Sequence, residues 1–148
     1  MAITKIHPIK STVQKAVNYI CNPDKTDGAL LIDSFACDYH MAEAEFRIPL
    51  SKGTGQGENL AFHLIQSFAP GEVDADTAHE IGEKLAERLL QGNHSYIVST
   101  HIDKNSVHNH IIFCAADNFT YRKYYDNKQN YRKIRNLSDQ ADYRGKFP

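Results

Sequence analysis

The apolar positions of this chain fall into short runs whose period switches between two and 3.6, so strands and helices are predicted in alternation. Ala2 to Ile9 alternates and reads as a strand ended by Pro8 and Lys10. Ser11 or Thr12 offers a cap for a helix to about Asn22, with Val13, Ala16, Val17 and Ile20 on one face, and Asn22-Pro23-Asp24 stops it. Leu30 to Ala36 is a second predicted strand, Tyr39 to Phe46 a short helix, and Ser51 to Glu58 a glycine-rich flexible loop. Leu60 to Phe68 is a third strand. From Asp74 or Asp76, the residues Ala78, Ile81, Leu85, Ala86, Leu89 and Leu90 recur at helical spacing until Gly92. A hairpin of two more strands follows, and Asn130 to Asp142 reads as a last helix. Strands that alternate with helices but finish in a hairpin predict an α+β fold, with helices packed on an antiparallel or mixed sheet.

The hairpin carries the chemistry. On its first strand Tyr96, Val98, Thr100 and Ile102 take one face and Ile97, Ser99, His101 and Asp103 the other. On its second, Val107, Asn109 and Ile111 oppose His108, His110 and Ile112. A four-residue loop, Lys104 to Val107, would pair Asp103 with His108 and His101 with His110, placing all four on one face. Three imidazoles would then converge within reach of one cation. Neutral imidazole is the commonest metal ligand, and three leave coordination positions open, as catalysis requires. The alternative is a purely structural cluster, since a lone strand histidine is usually a satisfied core or surface residue. Asp103 could orient a ligand histidine, the favoured role, or bind the metal through water or take a proton. His63 shares a period-two face with Ser67 and belongs either to the core or to the site.

With 148 residues, 41% hydrophobic and 24% charged, the chain fits one globular domain with a real core. No apolar run reaches the length of a membrane span, and the N-terminus lacks the pattern of a signal peptide, so a cytoplasmic protein with no membrane partner is expected. Cys21, Cys37 and Cys114 are odd in number and widely spaced, which predicts free thiols. The net charge of −1 conceals an asymmetry: 8 Lys/Arg stand against 14 Asp/Glu up to residue 103, and 9 against 4 beyond it. The basic end is also aromatic. Tyr121-Arg122-Lys123-Tyr124-Tyr125, then Lys128, Tyr131, Arg132, Lys133 and Arg135, interleaves cations that neutralise phosphates with rings that stack on bases. The alternative is a solvated helix face with buried tyrosines.

Three segments together resemble one family. His101-x-Asp103-x-x-x-x-His108-Asn-His110, the upstream Asn18-Tyr19-Ile-Cys-Asn-Pro-Asp-Lys-Thr26, and His63-Leu-Ile-Gln-Ser67-Phe68-x-Pro-Gly-Glu72 look like the three motifs of conjugative relaxases of the MobA/VirD type, within the HUH endonuclease superfamily. Each motif is weak alone, but three in order over nearly the whole chain are specific. The resemblance implies an antiparallel sheet of about five strands with helices on it. It also implies a single relaxase domain over residues 1–148, forming the N-terminal part of a longer protein.

The implied activity is strand-specific nicking of transfer-origin DNA, single-stranded at the nick and flanked by a hairpin, with an accessory relaxosome protein as a further partner. Tyr19 matches the nucleophile that leaves a 5′-phosphotyrosine and a free 3′-hydroxyl; His101, His108 and His110 match the metal ligands. Ser67 and His63 would lie near the cleaved bond, and Arg122, Lys123, Tyr124, Lys128 and Arg132 would contact DNA. A divalent cation on the phosphate offsets the charge that builds in the transition state, which a weakly acidic phenol needs. Mn or Mg is implied, while three imidazoles by softness also admit Zn, Ni or Co.

Other readings stay open. Tyr19, near a helix end, is by itself more often a packing residue, with Tyr124 and Tyr125 as distant substitutes for the nucleophile. Ser67 by itself reads as a strand-end hydrogen-bonding serine. A water-activating His-Asn-His nuclease would need no Tyr19, a non-catalytic nucleic-acid module would hold its metal structurally, and a rolling-circle replication initiator shares the chemistry. Glu43 and Glu45 read as solvated. One departure stands out: many relatives have Asn four residues after the last motif histidine, where this chain has Cys114, and a thiol lacks an amide's paired donor and acceptor.

Overall fold

The computed structural model describes residues 2–53, 57–103 and 105–141. Its elements in chain order are β1 (Ile3–Ile9), α1 (Val13–Ile20), β2 (Ile32–Phe35), a 3-10 turn (Tyr39–Met41), α2 (Ala42–Lys52), β3 (Ala61–Ser67), α3 (Ala75–Leu90), β4 (Tyr96–His101), β5 (His108–Cys114) and α4 (Lys128–Ala141). The strands form one sheet in the order β1-β3-β5-β4-β2, with every neighbour antiparallel. The α+β architecture with five antiparallel strands is therefore as expected.

Alternation divides the sheet into two faces, each covered by a pair of helices. On one, Val13, Val17 and Ile20 of α1 and Phe46 of α2 bury Ala61, Ile97, Ile112 and Cys114. On the other, Leu85, Ala86 and Leu89 of α3 and Ile134 of α4 bury Phe62, Leu64, Val98, Ile111 and Phe113. Each buried Val, Leu, Ile or Phe among them contributes about 1.5–3 kcal/mol by leaving water, so these two clusters hold the layers together. The α1/α2 pair covers only the half of its face that carries the apolar residues. At the other end of the same strands stand Ser67, His101, His108 and His110.

Local sequence logic failed at several ends. The first strand continues through Pro8, because β1 is an edge strand where a missing N–H costs no ladder bond. Neither Ser11 nor Thr12 caps α1: Thr12 lies in the left-handed region at φ 53° and makes no side-chain cap bond. The cap comes from α2, whose Glu43 Oε1 accepts from Gln14 N at 3.2 Å while Gln14 Oε1 accepts from Glu43 N. Glu43 is thus a structural acceptor, and Glu45 accepts from Asp38 N at 2.8 Å. Helix α2 runs on to Lys52, past the predicted end at Phe46 and into the predicted glycine-rich loop, of which Thr54 to Gln56 lie outside the described residues. Asp74 caps α3 through Thr77 N, and Gln91 and Gly92 end it in left-handed conformation.

The hairpin register also differs. His101 pairs with His108, and Ser99 with His110, so the connection is six residues long and Asp103 lies in it rather than opposite His108. A shift of two leaves every side chain on its face, so the hydrophobic pattern could not choose between the registers. A polar contact does choose. The observed register sets Thr100 opposite Asn109, and their buried side chains bond at 2.6 Å. Asn109 Nδ2 further donates to Gln66 Oε1 and Ala78 O. Room for that amide is made by Gly82 of α3, where a Cβ would come within 2.7 Å of Asn109 Nδ2.

Candidate active site

The open end of the α1/α2 face is a row of imidazoles contributed by four adjacent strands. Ring centroids are 5.0 Å apart from His7 to His63, 5.0 Å from His63 to His110 and 4.1 Å from His110 to His101. His63 Nε2 and His110 Nδ1 share a hydrogen bond of 2.8 Å. His108 has Nδ1 on Ser67 Oγ at 2.9 Å and Nε2 on Ser106 Oγ at 3.0 Å. His63 therefore contacts a motif histidine rather than only the core, and Ser67 is a direct partner of another.

His63, His101 and His110 are held towards the neutral form. Burial, reinforced by the neighbouring imidazoles His101 and His63, pushes His110 down to about 2; burial and His7 push His63 down to about 4. Burial also lowers His101, against the opposing pull of its bond to Ile20 O. Neutral imidazoles offer lone pairs rather than protons, the state metal coordination requires. His101 is oriented accordingly: a backbone carbonyl can only accept, so its Nε2–H donates to Ile20 O at 2.9 Å and Nδ1 carries the lone pair. Ser99 Oγ, opposite His110 in register, is buried with no hydrogen-bond partner. By donor type, neutral imidazoles suit a divalent cation.

Two expectations are corrected here. The carbonyl of Ile20, not Asp103, orients His101; Asp103 Oδ2 instead accepts from Lys25 Nζ at 2.9 Å, which holds the Asp103 carboxyl below its usual range. Nor do the three motif histidines converge as tightly as expected. Among the described residues, the one trio of His, Cys, Asp or Glu side chains with ligating atoms all within 4.8 Å is Asp33, His79 and Glu83, on the opposite face of the sheet.

Tyr19 occupies the last turn of α1, immediately before the carbonyl that holds His101. Its ring is 6.0 Å from the His101 ring, centroid to centroid, and 56% exposed. A packing tyrosine would be buried; this one faces solvent beside the imidazoles. The Asn22-Pro-Asp-Lys-Thr26 segment explains itself as a turn, with Asn22 Oδ1 accepting from Asp24 N and Asn22 O from Thr26 Oγ1. That turn carries Lys25 to 5.5 Å from the Tyr19 ring centroid and ties its carbonyl to Ile102 N. The role of Lys25 was missed, although its motif was in view.

The basic region divides. Lys128 and Arg132 of α4, with Arg135, Lys5 and His7, line a cleft of about 760 Å³ along the β1 edge. His7 joins that cleft to the imidazole row. The period-two face of the first strand, where Lys5 and His7 lie with Ile3 and Ile9, was the signal that could have found them. Arg122, Lys123 and Tyr125 line a second cleft of about 720 Å³ with Tyr121. Tyr124 corrects the expectation of a stacking platform or substitute nucleophile: its ring packs edge-on to Phe62 and Phe113, its hydroxyl is buried without a partner, and burial raises it to about 12.

The three cysteines are free, as expected. Cys114 sits in the apolar core with Sγ 3.7 Å from Phe46 O, four strand residues from His110, which is roughly 13–14 Å at ~3.4 Å per residue. The departure at this position thus lies under α2, away from the histidines.

The five-stranded antiparallel sheet thus carries an exposed tyrosine at a helix end beside a row of histidines. The family of relaxases with a MobA/VirD2-like nuclease domain matches residues 19–144, and the chain belongs to it. It is 34% identical over 140 residues to "Protein rlx" of Staphylococcus aureus, covering 95% of this chain and 40% of that protein. It is also 29% identical over 133 residues to the "Group II intron-interrupted relaxase LtrB" of Lactococcus lactis subsp. cremoris (strain MG1363), covering 72% of this chain and 23% of that one. The chain thus spans less than half the length of these relatives. No helix among the described residues is long and apolar enough to cross a membrane.

Proposed function

We propose that this domain nicks one strand of transfer-origin DNA by transesterification at Tyr19, for the mobilisation of a plasmid or integrative element. The observation that carries the reading is the exposed Tyr19 ring 6.0 Å from a buried, neutral His101 that is fastened to the same helix end. In the step, the Tyr19 Oη–P bond forms as the P–O3′ bond breaks; the phenol gives up its proton and the leaving 3′-oxygen gains one. No water is consumed, so the phosphotyrosine keeps the bond energy and a 3′-hydroxyl can reverse the step.

His101, His108 and His110 would hold a divalent cation, Mn or Mg by the nature of a phosphate substrate, with Zn, Ni or Co also suited to imidazole. Such an ion, when bound, supplies charge neutralisation on the non-bridging oxygens. Ser67 and His63 hold the partner nitrogens of His108 and His110, and Lys25 places its ammonium beside the Tyr19 ring, within reach of an incoming phosphate. The strand would reach the site along the Lys5, Lys128, Arg132 and Arg135 cleft, with Arg122 and Lys123 as a second phosphate contact.

The test uses end-labelled single-stranded oligonucleotides from a transfer origin, run on denaturing gels with Mn, Mg or chelator, for the intact chain and Tyr19→Phe. A metal-dependent covalent adduct on the fragment 3′ to the nick, lost in Tyr19→Phe, is expected. An adduct that survives the substitution would move the nucleophile elsewhere, and cleavage without an adduct would mean water-activated hydrolysis. Tyr19 is exposed, so Tyr19→Phe should change stability by less than about 0.5 kcal/mol, and loss of the adduct cannot be assigned to unfolding.

A further inference from the structure

Across the sheet from the histidine row, His79 of α3 lies between Asp33 of β2 and Glu83 of α3. Its Nε2 is 2.6 Å from Asp33 Oδ2 and 3.4 Å from Glu83 Oε1. The imidazole side chain is 8% exposed, against 56% and 47% for the two carboxylates. The imidazole is thus the buried member of the trio and the carboxylates its exposed members.

The hydrogen-bond network behind His79 fixes where its proton lies. Ala78 O can only accept, so the atom of Asn109 at 2.7 Å from it is Nδ2, and the other side-chain atom is Oδ1. Asn109 Oδ1 then takes the Thr100 hydroxyl hydrogen at 2.6 Å. With its hydrogen committed, Thr100 Oγ1 must accept from His79 Nδ1–H at 2.7 Å. The lone pair of a neutral His79 is therefore on Nε2, aimed at two carboxylates. Lone pair against carboxylate is repulsive, so a positive centre must sit between them. A proton can serve, and so can a metal ion. An imidazole whose rear N–H is tied down while its other nitrogen faces two carboxylates has the arrangement of a metal ligand with its supporting shell.

We propose that Asp33, His79 and Glu83 form a second cation site, which takes a divalent first-row transition ion and clips the edge strand β2 to α3. One imidazole and two carboxylates suit Mn, Fe or Zn better than Mg. Ligands about 2.0–2.2 Å from such an ion stand roughly 3.2–3.5 Å apart, which the His79–Glu83 pair already meets at 3.4 Å. The half-exposed Asp33 needs only to draw back. The clip has a structural purpose: β2 is four residues long, pairs with β4 alone and is mostly exposed. The site lies on the other face from Tyr19, so the reading stands or falls independently of the nicking chemistry.

The experiment adds Mn2+ to the 15N-labelled full chain and follows paramagnetic broadening of backbone amides. A comparison is made with Asp33→Asn/Glu83→Gln, whose substituted side chains are half exposed and keep their size. Broadening centred on residues 32–35 and 79–83, reversed by chelator and abolished in the double variant while the spectrum stays folded, is the expected result. Absence of broadening there in the intact chain at millimolar Mn2+ would mean that a proton fills the position, and the proposal fails. Broadening that is unchanged in the double variant overturns it equally, because the ion would then be held by other groups. If the double variant unfolds, His79→Asn/Glu83→Gln supplies the same comparison with the imidazole removed.

Discussion

His101 donates its Nε2–H to the carbonyl of Ile20 at 2.9 Å, across 81 residues of sequence. Ile20 follows Tyr19, so one hydrogen bond sets the imidazole's tautomer and fixes the helix end that carries the phenol. Orientation of the proposed ligand and placement of the proposed nucleophile thus rest on the same contact.

Because this carbonyl orients His101, Asp103 is not needed for that purpose. Asp103→Asn should change Mn2+ affinity by less than about tenfold, below the ~10–100-fold that loss of a ligand-orienting partner brings. Isothermal titration of Mn2+ into both proteins decides it, and a larger loss would restore Asp103 as the orienting group. The nicking rate should fall by more than the affinity does, since Asp103 holds Lys25 beside Tyr19.

The β1-edge cleft should bind phosphates rather than recognise bases. Lys128→Ala and Arg132→Ala are each expected to weaken oligonucleotide binding similarly for matched and scrambled sequences. Each should also make the plot of log K against log salt shallower, by about 0.7 for every phosphate no longer neutralised. Fluorescence anisotropy over a salt series measures both. A slope that does not move would place the strand elsewhere.

Gly82 has a packing reason to lack a side chain. Helix propensity alone would make Gly82→Ala stabilising by roughly 0.8–1 kcal/mol. The clash of the new methyl with Asn109, held on three sides by Thr100, Gln66 and Ala78, should instead cost about 1–3 kcal/mol. Urea denaturation gives the sign, and a raised midpoint would show that the amide yields.

His94 gives a pH dependence of its own. Its Nδ1–H donates to Cys114 O at 2.7 Å, and burial lowers its affinity for a proton, partly offset by that bond and by Asp117. Below the ordinary imidazole value of about 6.5, the unfolded chain binds a proton that the folded one refuses. Stability contributed by His94 is therefore intact above about 6.5 and declines as pH falls through and below it. Between pH 7.5 and 5, the intact protein should lose more stability than His94→Gln, as measured by urea midpoints. Equal losses would mean that His94 protonates in place.

The second strand of the hairpin shows how far sequence could reach. Period-two alternation put His108 and His110 on one face with His101, and that face is where they are found. The same alternation could not tell a four-residue loop from a six-residue one, because both keep the faces. The choice rests on the Thr100–Asn109 contact, polar and buried. In the same way, the apolar stripe of α1 was legible but its cap was not, since the capping carboxylate comes from Glu43, 29 residues on. Tyr124 was misread because composition records a basic, aromatic stretch without saying which rings turn inward to Phe62 and Phe113.

The sequence by itself determined the elements, the faces of the strands and the family to which the motifs belong, because these depend on periodicity and spacing within short segments. Only the tertiary structure decided that Tyr19 stands exposed at His101, that Lys25 rather than a histidine partners Asp103, and that Asp33, His79 and Glu83 meet across α3 and β2. These pairings join residues remote in the chain, and their partners are fixed by register and by which hydrogen-bonding groups burial leaves to be satisfied.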